Sequence, residues 1–215
     1  MKKTSIVVGA GKGLGNHVAE KFGKNDFRVV LMARDEGSLR AYERELADKG
    51  VEALGIPMDA ADPESIQRAF VAARERWGTP DVLVYNVGIT APDDPKTLDS
   101  AELERHFKVD VAGAYACIQQ VVDEEFGKRD GTIILTGGYA AVDPFPGYLC
   151  LALDKAALRN MALALNRELK DRGIFVGTVM VCGAIQPGTH FAPELIAETF
   201  WKMYTERKDW ELRYE

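Results

Sequence analysis

The sequence of 215 residues has no apolar run of about 18 residues, the length that a membrane-spanning helix needs. Positive charge is also in short supply, because 27 Lys and Arg residues face 33 Asp and Glu residues and leave a net charge of −6. This balance argues against a general nucleic-acid-binding protein. The start, Met-Lys-Lys-Thr, leads directly into an apolar stretch, so we expect no signal peptide. The sequence therefore predicts a protein that binds neither a membrane nor nucleic acid.

Cysteine and histidine are scarce, with three of each. The cysteines are Cys117, Cys150 and Cys182. All three lie in apolar segments, which indicates buried, reduced thiols and favours a cytoplasmic location. His17 and His106 fall in predicted helices without an evident partner, and His190 falls in a loop, where it is either solvated or reaches a bound substrate. No set of histidines and cysteines has metal-ligand spacing, so no metal site is predicted.

Apolar strands and helical segments alternate along the whole chain. Strands are predicted at about 4–9, 27–33, 51–57, 80–85, 131–136 and 174–181. Helices are predicted at about 13–24, 36–49, 63–77, 99–127 and 149–172. Several strands are near-continuous apolar runs, as is typical of strands buried on both faces. This order predicts an α/β protein with a Rossmann-type, doubly wound, mainly parallel sheet in three layers, folded as a single domain over residues 1–215.

The last part of the chain, 182–215, is predicted to form a short substrate-side loop, a helix near 194–206 and an edge strand near 210–214. Its aromatic residues are Phe191, Phe200, Trp201 and Tyr204. These side chains either line an apolar substrate pocket or complete the core. The core is the favoured position for Trp201 and Tyr204.

A glycine-rich turn joins the first strand to the first helix. Its residues are Gly9, Gly11, Lys12, Gly13, Leu14 and Gly15. Glycines in this arrangement permit a tight turn, close approach of a pyrophosphate group and tight packing of the helix on the strand. The helix N-terminus adds free N–H groups and a partial positive charge. The turn therefore predicts that the chain binds a dinucleotide cofactor.

The end of the second strand favours NADP(H) over NAD(H). An acidic residue at this place would accept a hydrogen bond from the ribose 2′-hydroxyl of NAD. The chain instead has the small Ala33 followed by Arg34, whose guanidinium suits a 2′-phosphate, and Lys12 adds a second cation. The alternative is that both cations are surface charges and that Asp35 serves as the ribose-binding acid, in which case NAD is the cofactor.

Two further strand ends carry residues that fit a cofactor cleft. Asp59 and Ala60 follow the third strand and would contact the adenine edge. Asn86, Val87 and Gly88 follow the fourth strand, where strand ends line the crevice of such a sheet. Each segment, taken alone, is equally consistent with an ordinary turn. Their order behind the glycine turn makes them candidate cofactor contacts.

Over about residues 4–185 the chain resembles the short-chain dehydrogenase/reductase family. Besides the motifs above, the resemblance rests on Lys155 in a Lys-Ala-Ala-Leu segment and on the stretch that ends at Gly183. It implies hydride transfer between a nicotinamide and a small alcohol or carbonyl substrate. It also implies that Lys155 holds the nicotinamide ribose, that Gly183 and Ile185 contact the cofactor, and that homodimers or homotetramers form through the helices near 99–127 and 149–172.

The family's catalytic pattern is only partly present. The family has a tyrosine four residues before the lysine, and this position holds Leu151. The place of its serine falls at Gly137 or Gly138, and the place of its asparagine holds Asp110. Because the tyrosine supplies the proton and the serine polarises the carbonyl, the usual mechanism of carbonyl reduction is not available to these residues.

Substitutes for the missing tyrosine are Tyr148 and Tyr139, with Asp110 as a further candidate proton acceptor. Tyr148 would share a helix face with Leu151 and Lys155 if the helix began early enough. The alternatives are that both tyrosines pack at the pocket mouth and that Asp110 accepts a backbone hydrogen bond. Two functions follow: an NADP(H)-dependent oxidoreductase with a non-standard active site, or a catalytically inactive NADP(H)-binding sensor, scaffold or partner subunit.

Overall fold

Seven strands form one sheet in the order β3-β2-β1-β4-β5-β6-β7 in the computed structural model of the protein, which describes residues 2–215. The strands are β1 (Lys3–Val8), β2 (Phe27–Ala33), β3 (Ala53–Pro57), β4 (Val82–Tyr85), β5 (Thr132–Gly138), β6 (Phe175–Val181) and β7 (Glu211–Tyr214). All neighbouring pairs run parallel, and Ile6 of β1, for example, lies opposite Val30 of β2 and Leu83 of β4. Since the strand order reverses beside β1, the carboxyl ends of β1 and β4 border a crevice.

Eight α-helices connect and flank the strands in this part of the chain. They are α1 (Leu14–Lys24), α2 (Glu36–Ala47), α3 (Pro63–Trp77), α4 (Ser100–Phe107), α5 (Gly113–Gln119), α6 (Glu124–Lys128), α7 (Leu149–Leu169) and α8 (Pro193–Glu206). Aspartate side chains cap four of them by accepting a hydrogen bond from a backbone N–H of the first turn: Asp35, Asp62, Asp99 and Asp123. Short 3₁₀ turns follow β5 at Tyr139–Ala141 and α7 at Lys170–Arg172.

The prediction of one continuous helix over 99–127 is wrong. A π-helical turn, Lys108–Ala112, joins α4 to α5, and the chain leaves the helix at Gln120 before α6 begins. Asp123 explains the second break, because its carboxylate accepts hydrogen bonds from the Phe126 N–H and from Arg74 of α3. These bonds start a new helix at this point. The π turn inserts one extra residue per turn and thereby places Asp110 in the interior.

The core consists of two apolar layers, one on each face of the sheet. One layer joins the sheet to α3, α5 and α7, with Phe70, Ile118 and Leu158 among its buried residues. The other joins the sheet to α1, α2 and α8, with Phe22 and Phe200 fully buried. The three-layer α/β architecture predicted from the sequence is confirmed. Among the helices of residues 2–215, none is long and apolar enough to cross a membrane.

The aromatic side chains Trp201 and Tyr204 of α8 belong to an aromatic cluster and do not line a substrate pocket. Trp201 and Tyr204 of α8 meet Phe22 of α1 and Phe27 of β2 at ring-centroid distances of 5.3 to 6.0 Å, mostly edge to face. These contacts pack the predicted core aromatics, which are partly buried, against the first βαβ unit. The last strand, β7, pairs with β6 at the edge of the sheet, as the alternating pattern of the sequence predicts.

Candidate functional site

A cavity of about 590 Å³ opens at the carboxyl ends of the central strands, a volume typical of small-ligand sites. Eight residues that the sequence predicts as cofactor contacts line it: Gly9, Ala33, Arg34, Asp59, Ala60, Asn86, Val87 and Gly88. A second set was not predicted: Met32, Ser38, Tyr42, Met58, Ile89, Arg105 and Val109. Met32, Met58 and Ile89 each adjoin a predicted contact, so extending the predicted motifs by one residue would have found these three. Ser38 and Tyr42 come from α2. Arg105 and Val109 come from α4 and the π turn, and only tertiary packing brings them to the cavity.

The remaining predicted cofactor contacts do not line this cavity among the described residues. They are Gly11, Lys12, Gly13, Leu14, Gly15, Lys155, Gly183 and Ile185. Leu14 is buried in the core layer beneath α1 and so does not face the cavity. Ile185 is exposed, and Gly183 is covered by the ring of Phe191.

The glycine turn allows two close backbone approaches. Gly9 has a φ of +87°, and a Cβ there would lie 2.7 Å from the backbone carbon of Asn86. A Cβ on Gly15 would overlap the carbonyl oxygen of Gly9. Gly11 and Gly13 have no heavy atom within 4 Å of an added Cβ, so this part of the turn faces open space. The sequence motif therefore has the backbone geometry that lets a phosphate group approach the N-terminus of α1.

Asn86 joins the ends of three strands in one chain of hydrogen bonds. Its amide nitrogen donates to the Gly9 carbonyl at 3.1 Å, and its amide oxygen accepts from the Thr136 hydroxyl at 2.9 Å. The Thr136 carbonyl in turn accepts from Lys155 Nζ at 2.9 Å. These bonds place the lysine of α7 in a fixed relation to the glycine turn.

The residues after β2 fit the prediction of a 2′-phosphate site. Arg34 lines the cavity and forms no ion pair within 4.0 Å among the described residues, and Lys12 is exposed on the turn. Asp35, the alternative ribose-binding acid, caps α2 by accepting from the Ser38 N–H at 2.7 Å. That hydrogen bond lowers the pKa of Asp35. Among the described residues Arg34 is thus a free cation for a 2′-phosphate, while Asp35 lines the same cavity and uses only Oδ1 for the cap.

Lys155 lies behind the cavity wall among buried charged groups. A Cβ on Gly88, which lines the cavity, would lie 3.3 Å from Lys155 Nζ and 3.5 Å from Asp110 Oδ2. Burial lowers the pKa of Lys155, and the charges of Asp110 and Asp154 oppose that effect. Burial raises the pKa of Asp110, whose two oxygens accept from the Ile89 N–H at 3.0 Å each. The interpretation of Asp110 as an acceptor of a backbone hydrogen bond is therefore confirmed.

The position of the missing tyrosine is apolar. Leu151 lies in the first turn of α7, and Gly137 and Gly138 end β5 without a hydroxyl. Tyr139 follows directly and is 39% exposed. The places of the family's tyrosine and serine thus contribute no polar side-chain atom.

Tyr148 does not lie on the helix, so the predicted shared face with Lys155 is wrong. Its backbone, at φ −146° and ψ 46°, is not helical. The centroid of its ring lies 5.0 Å from that of Phe145. The helix begins at the next residue because Asp93 accepts hydrogen bonds from the N–H groups of Leu149 and Cys150, at 3.0 and 2.8 Å. The cap comes from a distant loop, and local sequence gives no signal for it.

The histidines have partners that the sequence did not reveal. His106, only 2% exposed, lies with Nδ1 at 3.8 Å from Asp154 Oδ2 and with Nε2 at 3.4 Å from Glu102 Oε1. His17 Nδ1 meets the Gly13 carbonyl oxygen at 2.8 Å. His190 stacks on Tyr214 and contacts the Glu215 carbonyl oxygen, which ties the loop to the end of the chain. Residues 2–215 contain no group of three or more His, Cys, Asp or Glu side chains arranged to hold a metal ion.

A family model described as short chain dehydrogenase matches residues 3–196, which is most of the chain. The chain belongs to the short-chain dehydrogenase family. It is 31% identical to 3beta-hydroxysteroid dehydrogenase 1 of Eggerthella lenta over 202 residues, or 92% of this chain and 74% of that protein.

Solved structures of two reductases share the fold. A variant of the actinorhodin polyketide ketoreductase, solved with NADPH, matches with a TM-score of 0.91 at 23% identity, covering 99% of this chain and 95% of that one. L-sorbose reductase of Gluconobacter frateurii, solved with NADPH and L-sorbose, matches with a TM-score of 0.88 at 24% identity, covering 96% and 90%. The Rossmann-type fold predicted from the sequence is therefore the family's own fold.

The short-chain dehydrogenase fold here contains a buried acid that titrates near neutrality. Burial, with a contribution from the charge of Asp110, raises the pKa of Asp154 to about 7. Because this value exceeds that of the unfolded chain, the folded protein binds an extra proton between roughly pH 4 and 7. Its stability accordingly falls as the pH rises through that window.

We expect the Asp154→Asn substitution to remove this pH dependence. At pH 8 the variant should be more stable than the natural chain by up to about 4 kcal/mol, and the difference should shrink towards pH 4. Urea unfolding across this range measures it, with the exposed Asp171→Asn as the charge-matched control. A destabilised variant at pH 8 would mean instead that Asp154 is ionised and stabilised by Lys155.

Proposed function

We propose that this short-chain dehydrogenase is an NADP(H)-dependent oxidoreductase that interconverts a small carbonyl compound and its alcohol at a non-standard active site. The observation that carries the proposal is the hydrogen-bonded chain from Gly9 through Asn86 and Thr136 to Lys155. It connects the glycine turn with the buried Lys155, which lies behind Gly88 in the wall of the same cavity. When bound, the reduced nicotinamide supplies the hydride.

The residues after β2 support NADP(H) as the cofactor. Ala33 leaves space, Arg34 offers a fork of N–H donors towards the cavity, and Asp35 is engaged in capping α2. Lys12, exposed on the glycine turn, adds positive potential on the side from which a phosphate approaches. The polyketide ketoreductase and the sorbose reductase with the same fold were both solved with NADPH.

Proton transfer needs a substitute for the tyrosine, because Leu151 carries no acidic proton. Tyr139 lies one residue after Gly138, and a Cβ at Gly138 would lie 3.6 Å from Lys155 Cγ. Tyr148 lies at the N-terminal end of α7. We propose that one of these phenols, or a water molecule, protonates the substrate oxygen. Lys155 holds the ribose and supplies positive potential.

A catalytically inactive NADP(H)-binding sensor, scaffold or partner subunit is the second candidate. One observation favours it: Leu151, Gly137 and Gly138 leave the places of the family's tyrosine and serine without a polar side chain. The absence of both groups weakens carbonyl reduction far more than cofactor binding. Turnover of NADPH with a carbonyl substrate therefore separates the two candidates.

We propose that the protein forms homodimers or homotetramers through α4, α5 and α7. Large apolar side chains on these helices are 41 to 46% exposed: Phe107, Tyr115, Leu149 and Leu153. Exposed apolar residues grouped on adjacent helices favour association.

Replacing Arg34 by Ala should weaken NADPH binding by about 10- to 100-fold and leave NADH binding nearly unchanged, because only NADPH carries the 2′-phosphate. Nicotinamide fluorescence titration measures both affinities. Arg40→Ala on the outer face of α2 removes an equal charge outside the cavity and serves as the control. Equal weakening of both cofactors by Arg34→Ala would exclude the proposed phosphate contact.

Replacing the proton-donating tyrosine by Phe should lower the rate of NADPH oxidation by about 10²–10⁴-fold with any carbonyl compound that the natural chain reduces. Tyr139→Phe and Tyr148→Phe are compared with Tyr115→Phe on α5 as the control. A large loss in one variant identifies the donor. Full activity in both excludes the phenols and leaves water, whereas a natural chain that reduces no carbonyl of a broad panel supports the inactive candidate.

Placing Glu at both Tyr115 and Leu153 should raise the dissociation constant of the oligomer by about 10²-fold or more, because like charges would then face each other across the interface. Light scattering over a concentration series measures the change. Val71→Glu, which charges an equally exposed apolar position on α3, is the matched control. A natural chain that stays monomeric at every concentration, or a double variant that associates as the natural chain does, contradicts the interface.

A further inference from the structure

Four ionisable side chains meet in the interior where α4 and the π turn contact α7. His106 and Asp110 lie four residues apart on the first element, and Asp154 and Lys155 are adjacent on the second. None of the four is more than 8% exposed. Neither His106 nor Asp154 belongs to the catalytic pattern that the resemblance implied.

Two atoms of this cluster have unused hydrogen-bonding capacity. His106 Nδ1 and Asp154 Oδ2 are buried, form no hydrogen bond within the part of the chain described, and face each other at 3.8 Å. Buried polar atoms without a partner are rare in folded proteins. A side-chain shift of roughly 1 Å would bring the two atoms within hydrogen-bond distance. The pair is therefore poised to share one proton.

The cluster also connects the interior with a second cavity. On its outer side His106 lines a cavity of about 340 Å³ together with acidic groups that include Asp93, Asp99 and Glu102. On its inner side, Lys155 Nζ and Asp110 Oδ2 lie just behind Gly88 in the wall of the cofactor cavity. Ionisable groups thus extend from an acidic cavity towards the candidate active site, with the Asp154 carboxylate oxygens and Lys155 Nζ more than 4.0 Å apart.

Charge balance requires a proton in this path. With both aspartates ionised, Lys155 protonated and the imidazole neutral, the buried cluster carries one net negative charge. A proton on Asp154 makes it neutral, which burial strongly favours, since an uncompensated charge in the interior is costly. Burial accordingly raises the pKa of Asp154 to about 7, so this proton is labile near neutral pH. The other titratable groups facing the pair are Glu102 and Arg105 on α4, Asp93 in the preceding loop and Cys150 on α7.

We propose that His106 and Asp154 form a proton relay that takes protons from the acidic cavity beside Glu102 and restores the proton that Lys155 gives up in each carbonyl reduction. This inference rests on the proposed function. After reduction, an N–H bond of Lys155 breaks and its proton passes to the tyrosine oxygen or hydroxide that has protonated the substrate. Asp154 Oδ2–H then protonates Nζ by way of one bridging water molecule, because residues 2–215 contain no Asp154–Lys155 ion pair within 4.0 Å. His106 Nδ1–H protonates the carboxylate and solvent in the acidic cavity protonates Nε2. A flip of the imidazole ring then returns an N–H to the Nδ1 position. One proton enters for each hydride transferred, so charge and atoms balance.

In this relay His106 and Asp154 act as positioning residues, so replacing either one should change how the turnover number depends on pH. In the natural chain the turnover number should decline above about pH 7, where Asp154 loses its proton. In Asp154→Asn that decline should vanish and the rate on the plateau should be about 10²-fold lower. In His106→Ala the rate should fall similarly and recover when imidazole is added, since the adjoining cavity admits it. Asp171→Asn, at an exposed position beyond α7, should behave as the natural chain does.

A measurement without substrate separates this inference from the proposed function. The carboxyl carbon resonance of Asp154, assigned by its absence in Asp154→Asn, should titrate near pH 7 and shift its midpoint by at least about half a pH unit in the conservative His106→Gln. A midpoint near 4, or one indifferent to His106, overturns proton sharing. An unchanged rate and pH profile in both variants of an active enzyme overturns the relay. If the natural chain reduces no carbonyl, the proposed function and the delivery step fail together, and the titration alone decides whether the pair shares a proton.

Discussion

The side-chain amide of Asn86 is the contact on which the candidate site depends. It lies at the end of β4, between β1 and β5, and uses its nitrogen and its oxygen to hold both neighbours. The close approach of Gly9 makes this possible, because any Cβ there would collide with the backbone of Asn86. Through Thr136 the same chain of bonds reaches Lys155. The glycine turn and the buried Lys155, from distant parts of the sequence, are thereby fixed relative to each other.

Burying the Lys155 ammonium sets the electrostatics of everything around it. Removing a charge from water is costly unless partners replace the lost solvation. The Thr136 carbonyl replaces one hydrogen bond, and two aspartates supply the opposite charge. One of these, Asp110, is stabilised as an anion by the Ile89 N–H, whereas Asp154 has no hydrogen-bond donor among the described residues. Burial raises the pKa of both carboxyl groups, and this difference explains why the pKa of Asp154 rises to about 7.

Much of the fold was predictable because it is encoded locally. Apolar runs marked strands, and a glycine turn between a strand and a helix marked the cavity that Gly9, Arg34 and Asn86 line. Asp123 ends the predicted long helix through a bond to Arg74, and Asp93 sets the start of α7 from a loop some 55 residues earlier. Such bonds join segments that are distant in sequence, and no local pattern predicts them.

Only some of the charged residues around Lys155 could be predicted, because a local motif marks some of them and not the others. Lys155 and Asp110 stand at positions that the family pattern names, so each could be assigned from its place in a motif. His106 and Asp154 stand at positions with no such role, and each alone looks like an ordinary helix residue. Their significance arises only when α4 packs against α7 and removes both from water.

The buried pair bears on the choice between an enzyme and a binding protein. The proposed role of Lys155 in holding a cofactor ribose needs a single counter-charge, and Asp110 provides one. A second buried carboxyl group beside an imidazole whose Nδ1 has no hydrogen-bond partner among the described residues adds a desolvation cost that binding does not require. Buried titratable groups with displaced pKa values are more typical of sites that move protons than of sites that only bind. A carboxyl group whose pKa is raised to about 7 by burial, with only His106 between it and an acidic cavity, has the properties of a proton reservoir. The absence of the tyrosine therefore coincides with a new acid–base pair on the other side of the same lysine, and this favours chemistry over binding alone.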